Sequence, residues 1–321
     1  MNFHAGTGDM MSSIEGLKGK RIGVLAGGRS SEREISLKSG RAVFSCLEAN
    51  GMDVTFLDVD DNSVEEAVKA SGIDIAFIAL HGRFGEDGKL QAILEGMGIG
   101  YTGSGPRASE LAMDKLASKE RFLSAGLKTP EYLALDPGRW VDPDGLLVPC
   151  VVKPRYEGSS FGLTVVRKKD GIAEAIKKAA IFGEDVLIEE YIHGRELTVG
   201  VLGGKALPIV EIVTPEQVYD HDAKYVHKST RYLVPADLSL EVAREVREAG
   251  SRAHDSLGCE GFSRVDIRLS ERSEAYVLEV NTIPGLTERS LLPMAAAAYG
   301  LDFFGLCVNM LMSAMSRAGT K

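Results

Sequence analysis

The sequence predicts a protein of mixed α/β and α+β class that is divided into three domains. The chain has 321 residues, which suits two or three domains of about 100 to 200 residues each. Strand and helix patterns alternate near the N-terminus, as they do in a doubly wound parallel sheet. Further along, strand–loop–strand patterns replace this alternation and indicate antiparallel pairing.

The composition is that of an ordinary globular protein, with 44% hydrophobic and 26% charged residues. A formal net charge of -9 argues against a nucleic-acid or anionic-membrane surface, which requires clustered Lys and Arg. The four widely spaced cysteines include no CxxC pair and indicate a reducing, cytoplasmic environment. We find no signal peptide, and Pro293, Gly300 and Asp302 interrupt the apolar region 291–315, so no membrane span is predicted there.

The N-terminal domain is predicted over residues 19–104, after a flexible extension over residues 1–18 that lacks periodicity. The pattern is strand, helix, strand, helix, strand, at residues 21–26, 33–50, 54–57, 63–70 and 74–80. Parallel sheets of this kind bind ligands at the carboxyl ends of their strands. Two loops lie at such ends, at residues 27–32 and 81–88, and we expect them to face a substrate.

The rest of the chain is predicted to form two further domains, a central one over residues 105–190 and a C-terminal one over 191–321. The central domain begins with one predicted helix from Arg107 to about Ala125. The C-terminal domain contains a long polar loop at residues 214–235, which we expect to act as a lid over a site.

Two short predicted strands on either side of residues 271–274 carry candidate metal ligands. Glu279 and Asn281 lie two residues apart in one strand, so their side chains point to the same face. Asp266 lies in the preceding strand, and pairing of the two strands would bring it beside them. Two carboxylates and an amide oxygen form a hard oxygen site suited to Mg2+. The alternative is a hairpin that carries solvated acids.

A glycine- and serine-rich loop follows Lys153. Residues 158–162 include two glycines and two serines, which let backbone N–H groups approach a polyphosphate closely. The loop lies between strands and lacks the GK[ST] signature, so it is not a Walker A loop. It is either a hairpin that closes over phosphates or an ordinary polar turn. Lys115 and Lys153 could each neutralise phosphate charge.

Two other features have both a functional and a structural explanation. The strand 186–192 is apolar and ends in acids and an aromatic residue, so it suits either an adenine slot or a protein core. His81 follows a buried strand and either contacts a substrate or caps the helix that begins near Gly88.

These segments together resemble the D-alanine–D-alanine ligases of the ATP-grasp superfamily. Each segment is weak alone, but their order and spacing match the family from about residue 20 to the C-terminus. The matching segments are residues 25–36, 79–88, 101–105, 113–115, 152–154, 157–160, 222–225, 264–266, 279–282 and 284–285. The resemblance implies a three-domain ATP-grasp fold, with ATP sandwiched between the central and C-terminal domains.

The resemblance also implies an activity. Members of the family use ATP to join two D-alanine molecules through a D-alanyl phosphate, giving D-alanyl-D-alanine for peptidoglycan precursors. Two Mg2+ (or Mn2+) ions and lysines would provide charge neutralisation for phosphoryl transfer. We expect D-alanine and ATP as partners, a cytoplasmic location and, by family likeness, a homodimer.

The resemblance assigns the cofactor residues by position. Asp266, Glu279 and Asn281 would bind the metals, with Glu279 shared between them. Lys115 and Lys153 would hold phosphates. The remaining residues assigned to the nucleotide are Glu189, Tyr191, Ile192, Glu196 and Lys224.

The substrate residues are assigned in the same way. Glu32 would hold the ammonium group of the first D-alanine, and Ser159 and Tyr225 would join it in a hydrogen-bonded network. Arg264 would stabilise the oxyanion that develops when the second amine attacks. Ser290, near the N-terminus of a helix, would bind the second carboxylate. The remaining substrate residues are His81, whose role stays open, and Gly285.

Tyr225 bears on the choice of acceptor. Related ligases that make D-alanyl-D-lactate typically carry Phe at this lid position, so Tyr225 favours D-alanine, and a D-lactate-using ligase is the alternative. A catalytically inactive nucleotide-binding protein is a third possibility. Such a protein would be expected to have lost metal or phosphate residues, and this chain retains Lys153, Arg264, Glu279 and Asn281.

Overall fold

The structure is a computed structural model that describes residues 13–135, 145–183, 185–214 and 230–318. Three β-sheets follow one another along the chain, the first parallel and the other two antiparallel. The mixed α/β and α+β class predicted from the sequence is therefore confirmed.

The first sheet is parallel and has the strand order β2-β1-β3-β4. The two central strands are completely buried and consist of apolar residues and glycine, whereas the edge strand at residues 54–59 is mostly half-buried and carries an exposed aspartate. The strands are β1 (Ile22–Gly27), β2 (Val54–Val59), β3 (Ile75–Ile78) and β4 (Gly100–Tyr101). The connecting helices are α1 (Arg33–Ala49), α2 (Val64–Ser71) and α3 (Lys89–Met97).

The two ends of the chain complete the core of this sheet. The C-terminal helix packs against α1, β3 and β4. Residues 13–17 are helical, and Leu17 is buried in the cluster that contains Leu306 and Leu311 of the C-terminal helix. The prediction that residues 1–18 form a flexible extension is therefore wrong for residues 13–17, because an apolar side chain there joins the core. Residues 1–12 lie outside the described residues.

The second sheet is antiparallel and has the strand order β5-β8-β6-β7. Its strands are β5 (Tyr132–Leu135), β6 (Cys150–Pro154), β7 (Thr164–Val166) and β8 (Val186–Glu190). The helices of this part are α4 (Pro106–Met113), α5 (Lys115–Ser124) and α6 (Ile172–Ala180), with a 3-10 turn at Lys169–Gly171.

Helices α4 and α5 correct the prediction of a single helix from Arg107 to Ala125. Asp114 has an extended backbone, with φ -82° and ψ 99°, and interrupts the helix. Its carboxylate accepts hydrogen bonds from the N–H groups of Leu116 (3.0 Å) and Ala117 (3.2 Å). An aspartate that caps a helix in this way replaces missing intrahelical bonds, so the chain restarts as a separate helix, α5.

The third sheet is antiparallel and has the strand order β12-β11-β9-β13-β14, with β10 paired to β9. Its strands are β9 (Gly194–Leu202), β10 (Lys205–Ala206), β11 (Val210–Val213), β12 (Arg231–Leu233), β13 (Phe262–Ser270) and β14 (Ala275–Asn281). The helices that follow or cover this sheet are α7 (Leu240–Ser256), α8 (Leu291–Ala298) and α9 (Phe303–Ala318).

The predicted lid loop, residues 214–235, is only partly described. Arg231–Leu233 forms strand β12 and pairs with β11, so this end of the segment belongs to the sheet. Residues 215–229, which include Lys224 and Tyr225, lie outside the described residues.

Within the described part of the chain, no single helix is long and apolar enough to cross a membrane. Helices α8 and α9 reach the required length and composition only as a pair, and they are bent by 105° at the break between them.

Candidate active site

The hairpin β13–β14 brings the predicted metal ligands together. Asp266 lies directly opposite Glu279 in the strand register, and Arg264 lies opposite Asn281. The amide nitrogen of Asn281 donates to Asp266 Oδ2 at 3.1 Å. Arg264 donates two hydrogen bonds of 2.8 Å, one to each oxygen of the Asp266 carboxylate. One face of the hairpin therefore presents two acids, an amide and a guanidinium group.

The donor set of this hairpin fits a magnesium ion. Mg2+ is commonly held by one or two carboxylates together with waters and substrate phosphates. Asp266 and Glu279 supply two carboxylates and Asn281 an amide oxygen, whereas the described residues contain no cluster of three or more His, Cys, Asp or Glu side chains arranged for a metal. These ligands therefore suit an ion whose coordination the nucleotide completes.

A cleft lies between the second and third sheets, with strands β6 and β8 on one side and the β13–β14 hairpin on the other. Six of the seven residues predicted to bind the nucleotide line it, and the seventh, Lys224, lies outside the described residues. The polar and aromatic residues of its lining include Lys115, Lys153, Glu189, Tyr191, Glu196, Asp266, Arg268 and Glu279. Ile192, Leu163 and Leu278 add apolar surface. Charged groups and apolar surface are thus combined as a nucleotide requires.

Glu189 lies between two buried lysines. Lys153 Nζ is 2.9 Å from Glu189 Oε2, and Lys119 Nζ is 3.1 Å from Glu189 Oε1. Burial opposes ionisation of Glu189, but the two lysines outweigh it and hold the pKa of the carboxyl below its usual value. Burial lowers the pKa of Lys119 to about 8. Glu189 thus fixes Lys153 in the cleft. Its second partner, Lys119, was not predicted from the sequence.

Lys115 links the acidic hairpin to the glycine- and serine-rich loop. Its Nζ lies 3.8 Å from Glu279 Oε2 and donates to the backbone carbonyl of Glu157. Burial lowers the pKa of Lys115, because the charged form loses its solvation. A buried cation beside Glu279 is well placed to meet a phosphate.

Arg268 binds several residues that line the cleft, a role that was not predicted from the sequence. It donates to Glu196 Oε2 at 3.1 Å and to the carbonyl of Ile192 at 3.1 and 3.2 Å. Its guanidinium carbon lies 5.5 Å from the centre of the Tyr191 ring. One buried arginine therefore holds three of the predicted nucleotide residues together.

The glycine- and serine-rich loop connects β6 to β7 and contacts the N-terminal part of the chain. Ser159 donates to Glu32 Oε1. A Cβ atom added at Gly158 would lie 2.7 Å from Glu32 Oε2, so any larger residue there would require the Glu32 carboxylate to shift. Ser159 and Ser160 have φ values of 47° and 58°, a left-handed conformation that is uncommon for serine. The predicted contact between this loop and Glu32 is present.

Glu157 adds a second connection between the same parts. Arg83 Nε lies 3.3 Å from Glu157 Oε1, and the Ser31 hydroxyl donates to Glu157 Oε2 at 3.1 Å. Arg83 also donates to the carbonyl of Phe182 at 2.9 Å. The loop is therefore tied to the two substrate-facing loops predicted from the first sheet.

A second pocket adjoins the nucleotide cleft at the glycine- and serine-rich loop, and Gly158 lines both. Six of the predicted substrate residues line it, namely Glu32, His81, Ser159, Arg264, Gly285 and Ser290. Glu86, Tyr232, Asn281 and Arg289 also line this pocket. A smaller cavity lined by Lys115, Glu157, Glu279 and Asn281 lies between the two sites. The predicted Lys224 and Tyr225 lie outside the described residues.

Ser290 occupies the N-cap position of helix α8, as its sequence context predicts. Its hydroxyl oxygen accepts from the N–H of Thr287 at 3.0 Å and lies 2.9 Å from Thr287 Oγ1. The first N–H groups of a helix have no partner within it and favour an anion. This end of the pocket is therefore suited to a carboxylate.

His81 and Glu86 form the wall of the pocket that faces the β14 end of the hairpin. His81 Nδ1 lies 2.8 Å from the carbonyl oxygen of Ile283, and burial lowers the pKa of His81 to about 4. Glu86, which the sequence reading did not single out, accepts from the N–H groups of Gly82 (2.7 Å) and Ile283 (3.2 Å). Burial, followed by the nearby charge of Glu32, raises the pKa of Glu86 to about 8.

A nucleotide cleft between two antiparallel sheets, beside a small polar pocket with an acid and an arginine, defines an ATP-grasp ligase that joins a carboxylate to an amine. Comparison with known proteins places the chain within this class. The family profile described as D-ala D-ala ligase C-terminus matches residues 122–312, and the profile described as D-ala D-ala ligase N-terminus matches residues 60–104. The chain belongs to the D-alanine–D-alanine ligase family.

Individual relatives and solved structures agree with this assignment. A D-alanine–D-alanine ligase of Bordetella petrii is 45% identical over 300 residues, covering 92% of each chain. One of Geotalea uraniireducens is 46% identical over 307 residues, covering 94% of this chain and 98% of the relative. The structure of the Bacillus anthracis D-alanine–D-alanine ligase complexed with ATP matches with a TM-score of 0.81 and 33% identity, covering 93% of this chain and 98% of that one.

A structure named for a different acceptor is also similar. The VanG D-Ala:D-Ser ligase of Enterococcus faecalis matches with a TM-score of 0.78 and 30% identity, covering 91% of this chain and 98% of that one. Similarity of fold alone therefore does not determine which molecule is the acceptor substrate.

Proposed function

We propose that this protein joins two D-alanine molecules to D-alanyl-D-alanine, with conversion of ATP to ADP and phosphate. The observation that carries the proposal is that the nucleotide cleft and the Glu32–Arg264 pocket meet at the β13–β14 hairpin. A phosphate at Lys115 and an amino acid at Glu32 would therefore approach the same side of the structure. The names of the relatives at about 45% identity support D-alanine as donor and acceptor, over the D-lactate alternative.

The chemistry requires this proximity. A carboxylate does not condense with an amine at neutral pH, so a carboxylate oxygen of the first D-alanine attacks the γ-phosphorus of ATP and releases ADP. The product is D-alanyl phosphate. The amine of the second D-alanine then attacks the acyl carbon, phosphate leaves with the electron pair of the C–O bond, and the new peptide nitrogen loses its extra proton.

The roles of the substrate residues follow from charge and position. Glu32 binds the ammonium group of the first D-alanine, and its contact with Ser159 closes the loop over that substrate. Arg264, which lines the same pocket, stabilises negative charge on the acyl oxygen during attack by the second amine. Ser290 and the N-terminus of α8 bind the second carboxylate.

The proposed cofactor residues lie on the hairpin itself and along the nucleotide cleft. Asp266, Glu279 and Asn281 would hold Mg2+ or Mn2+, two ions in all, which supply charge neutralisation for the phosphates. Lys115 and Lys153 bind phosphate oxygens. The nucleotide lies against Tyr191, Ile192 and Glu196, which Arg268 holds in place.

The proposal extends to domains and setting. We propose three domains, at residues 19–104, 105–190 and 191–321. The two boundaries between them lie between consecutive sheets along the chain, which supports this division. By family likeness we also propose a homodimer that acts in the cytoplasm and supplies peptidoglycan precursors.

ADP release tests the proposal. The purified protein with ATP and Mg2+ is given D-alanine, L-alanine, or D-alanine together with D-lactate, and ADP and products are measured. We expect ADP and D-alanyl-D-alanine to form with D-alanine, little turnover with L-alanine, and no depsipeptide in the mixture. Absence of D-alanine-dependent ADP release would overturn the proposal, and formation mainly of D-alanyl-D-lactate would overturn the acceptor.

A further inference from the structure

The segment 282–286, which follows Asn281 at the end of β14, is held by side chains of the N-terminal part of the chain. The N–H of Ile283 donates to Glu86 at 3.2 Å, and its carbonyl lies 2.8 Å from His81 Nδ1. The N–H of Leu286 donates to Ser39 Oγ at 3.2 Å. These contacts join residues about 200 to 250 positions apart in the sequence.

The directions of these hydrogen bonds are fixed by chemistry. A carbonyl oxygen only accepts, so His81 Nδ1 carries a proton and donates to Ile283. His81 is buried and neutral, so its Nε2 is an acceptor, and the Ser39 hydroxyl, 2.9 Å away, donates to it. Ser39 in turn accepts from Leu286. The chain of donors is therefore Leu286 N–H to Ser39, Ser39 to His81, and His81 to Ile283, with every group satisfied.

Glu86 completes the arrangement from the other side. One of its oxygens accepts from the N–H of Ile283 and the other from the N–H of Gly82, which follows His81 in the chain. Both polar backbone groups of Ile283 are thus occupied by residues of a single loop of the first sheet.

The held segment forms part of the substrate pocket. Ile283, Pro284 and Gly285 line it, as does Asn281, whose partner in the strand register is Arg264. Glu32, which lies across the pocket, precedes helix α1, and Ser39 lies on that helix. The contacts therefore connect the element that carries the ammonium-binding acid to the hairpin that carries the proposed metal ligands and Arg264.

We propose that Ser39, His81 and Glu86 are positioning residues that fix the distance between Glu32 and the β13–β14 hairpin, with His81 acting as a neutral connector. The proposal rests on the proposed function and adds the means by which the two halves of the substrate pocket are aligned. Misplacement of reacting groups by about 1 Å can cost on the order of 10²-fold in rate. Loss of the connection should therefore lower kcat and leave the nucleotide cleft unaffected.

Helix α1 offers a matched control for this test. Ser36 lies one turn before Ser39, and both side chains are completely buried. Ser36 accepts from the N–H of Gly27 at 2.8 Å and donates to the carbonyl of Ala79 at 2.7 Å, so both of its partners belong to the N-terminal part of the chain. Ser36→Ala and Ser39→Ala each remove one buried hydroxyl with two hydrogen bonds, but only the second substitution breaks the connection to the segment 282–286.

The experiment compares the two variants in full-length protein by steady-state kinetics and by amide hydrogen exchange. We expect Ser39→Ala to lower kcat at least tenfold with the KM for ATP within twofold of wild type. We expect Ser36→Ala to keep kcat within threefold at a similar loss of thermal stability. Exchange over residues 282–290 should accelerate at least tenfold in Ser39→Ala and stay unchanged in Ser36→Ala. Equal kinetic effects of the two variants, or unchanged exchange in Ser39→Ala, would overturn the proposal.

His81 supplies a test of the bonding pattern. Asn places an amide N–H at the position of Nδ1 and can still donate to Ile283, whereas Ala cannot. We expect His81→Asn to retain at least five times the kcat of His81→Ala, and a kcat of His81→Asn no higher than that of His81→Ala would overturn the connector role. The proposed function and the positioning role can fail separately. A wild-type protein that is inactive on D-alanine would refute the proposed function. Hydrogen exchange does not require turnover, so it would still show whether Ser39 holds the segment 282–286.

Discussion

Asp266 and Glu279 lie directly opposite each other on strands β13 and β14, and each carboxylate has a cation of its own. Arg264 binds both oxygens of Asp266 at 2.8 Å, and Lys115 lies 3.8 Å from Glu279. Arg264 lines the pocket on one side and Lys115 the cleft on the other. The hairpin therefore borders both the substrate pocket and the nucleotide cleft, and its charged groups link the two sites.

Glu279→Gln should reduce turnover by at least about 10²-fold, because it removes a carboxylate proposed to neutralise the phosphates through metal ions. The fold should persist, since Glu279 lies at the cleft and outside the apolar core. The measurement is ADP release together with the melting temperature. Glu271→Gln, an exposed acid in the turn of the same hairpin, is the control and should retain wild-type activity. Near-normal activity of Glu279→Gln would refute the metal assignment.

Glu189→Gln should destabilise the protein by about 3 to 5 kcal/mol, because it leaves Lys119 and Lys153 buried without their shared anion. The free energy of unfolding, measured with urea, checks this expectation. Glu190→Gln, a change at the exposed neighbouring residue, should alter stability by less than about 0.5 kcal/mol. If the two variants proved equally stable, the lysine–glutamate–lysine arrangement would have no structural importance.

His81 should make the protein sensitive to mild acid. Burial lowers the pKa of His81 from 6.5 to about 4, so between these values the unfolded chain binds a proton that the folded chain does not. The contribution of neutral His81 to the free energy of unfolding is fully present above pH 6.5 and declines as the pH falls toward 4. Its loss between pH 7.5 and pH 5 is about 2 kcal/mol.

Urea unfolding at pH 7.5 and pH 5 measures this contribution. His81→Asn cannot titrate in this range, so its stability should fall by about 2 kcal/mol less than that of wild type over the same interval. His193→Asn, a change at an exposed histidine, is the control and should behave as wild type. An acid response of His81→Asn as large as that of wild type would contradict the assigned protonation state.

Glu157→Gln should uncouple ATP use from peptide formation. Its contacts with Arg83 and Ser31 tie the glycine- and serine-rich loop to the N-terminal part of the chain. A loosened loop admits water to the acyl phosphate, which then hydrolyses. We expect ADP formed per dipeptide to rise at least threefold, measured by parallel assays of both products. Glu174→Gln on α6, an exposed acid, should keep the ratio of wild type, and an unchanged ratio in Glu157→Gln would exclude the shielding role.

The acidic hairpin was predictable from the sequence because strand geometry is local. Glu279 and Asn281 share a face by the period of two, and a short turn between antiparallel strands places Asp266 beside them, as the structure confirms. The alternation of strands and helices over residues 21–80 and the hairpin at the glycine- and serine-rich loop were predictable for the same reason. In each of these cases, residues close in sequence determine the arrangement.

Other residues escaped prediction because their partners are distant in sequence. Lys119 lies on a helix, where a lysine ordinarily faces solvent, and only the tertiary fold brings it to Glu189, which is 70 residues away in the sequence. The role of Ser39 could not be predicted because its hydrogen-bond partners, Leu286 and His81, are distant in the sequence. The interruption at Asp114 was hidden by a helical pattern on both sides, and the burial of Leu17 depends on the C-terminal helix.

Transfer of oxygen from substrate to phosphate tests the central claim most directly. D-Alanine labelled with 18O in its carboxylate is incubated with ATP, Mg2+ and the protein, and the released phosphate is analysed by mass spectrometry. If D-alanyl phosphate forms, cleavage of its acyl C–O bond leaves one labelled oxygen in each phosphate, and D-alanyl-D-alanine accumulates in equal amount. Unlabelled phosphate, or ADP release that does not require D-alanine, would contradict the account.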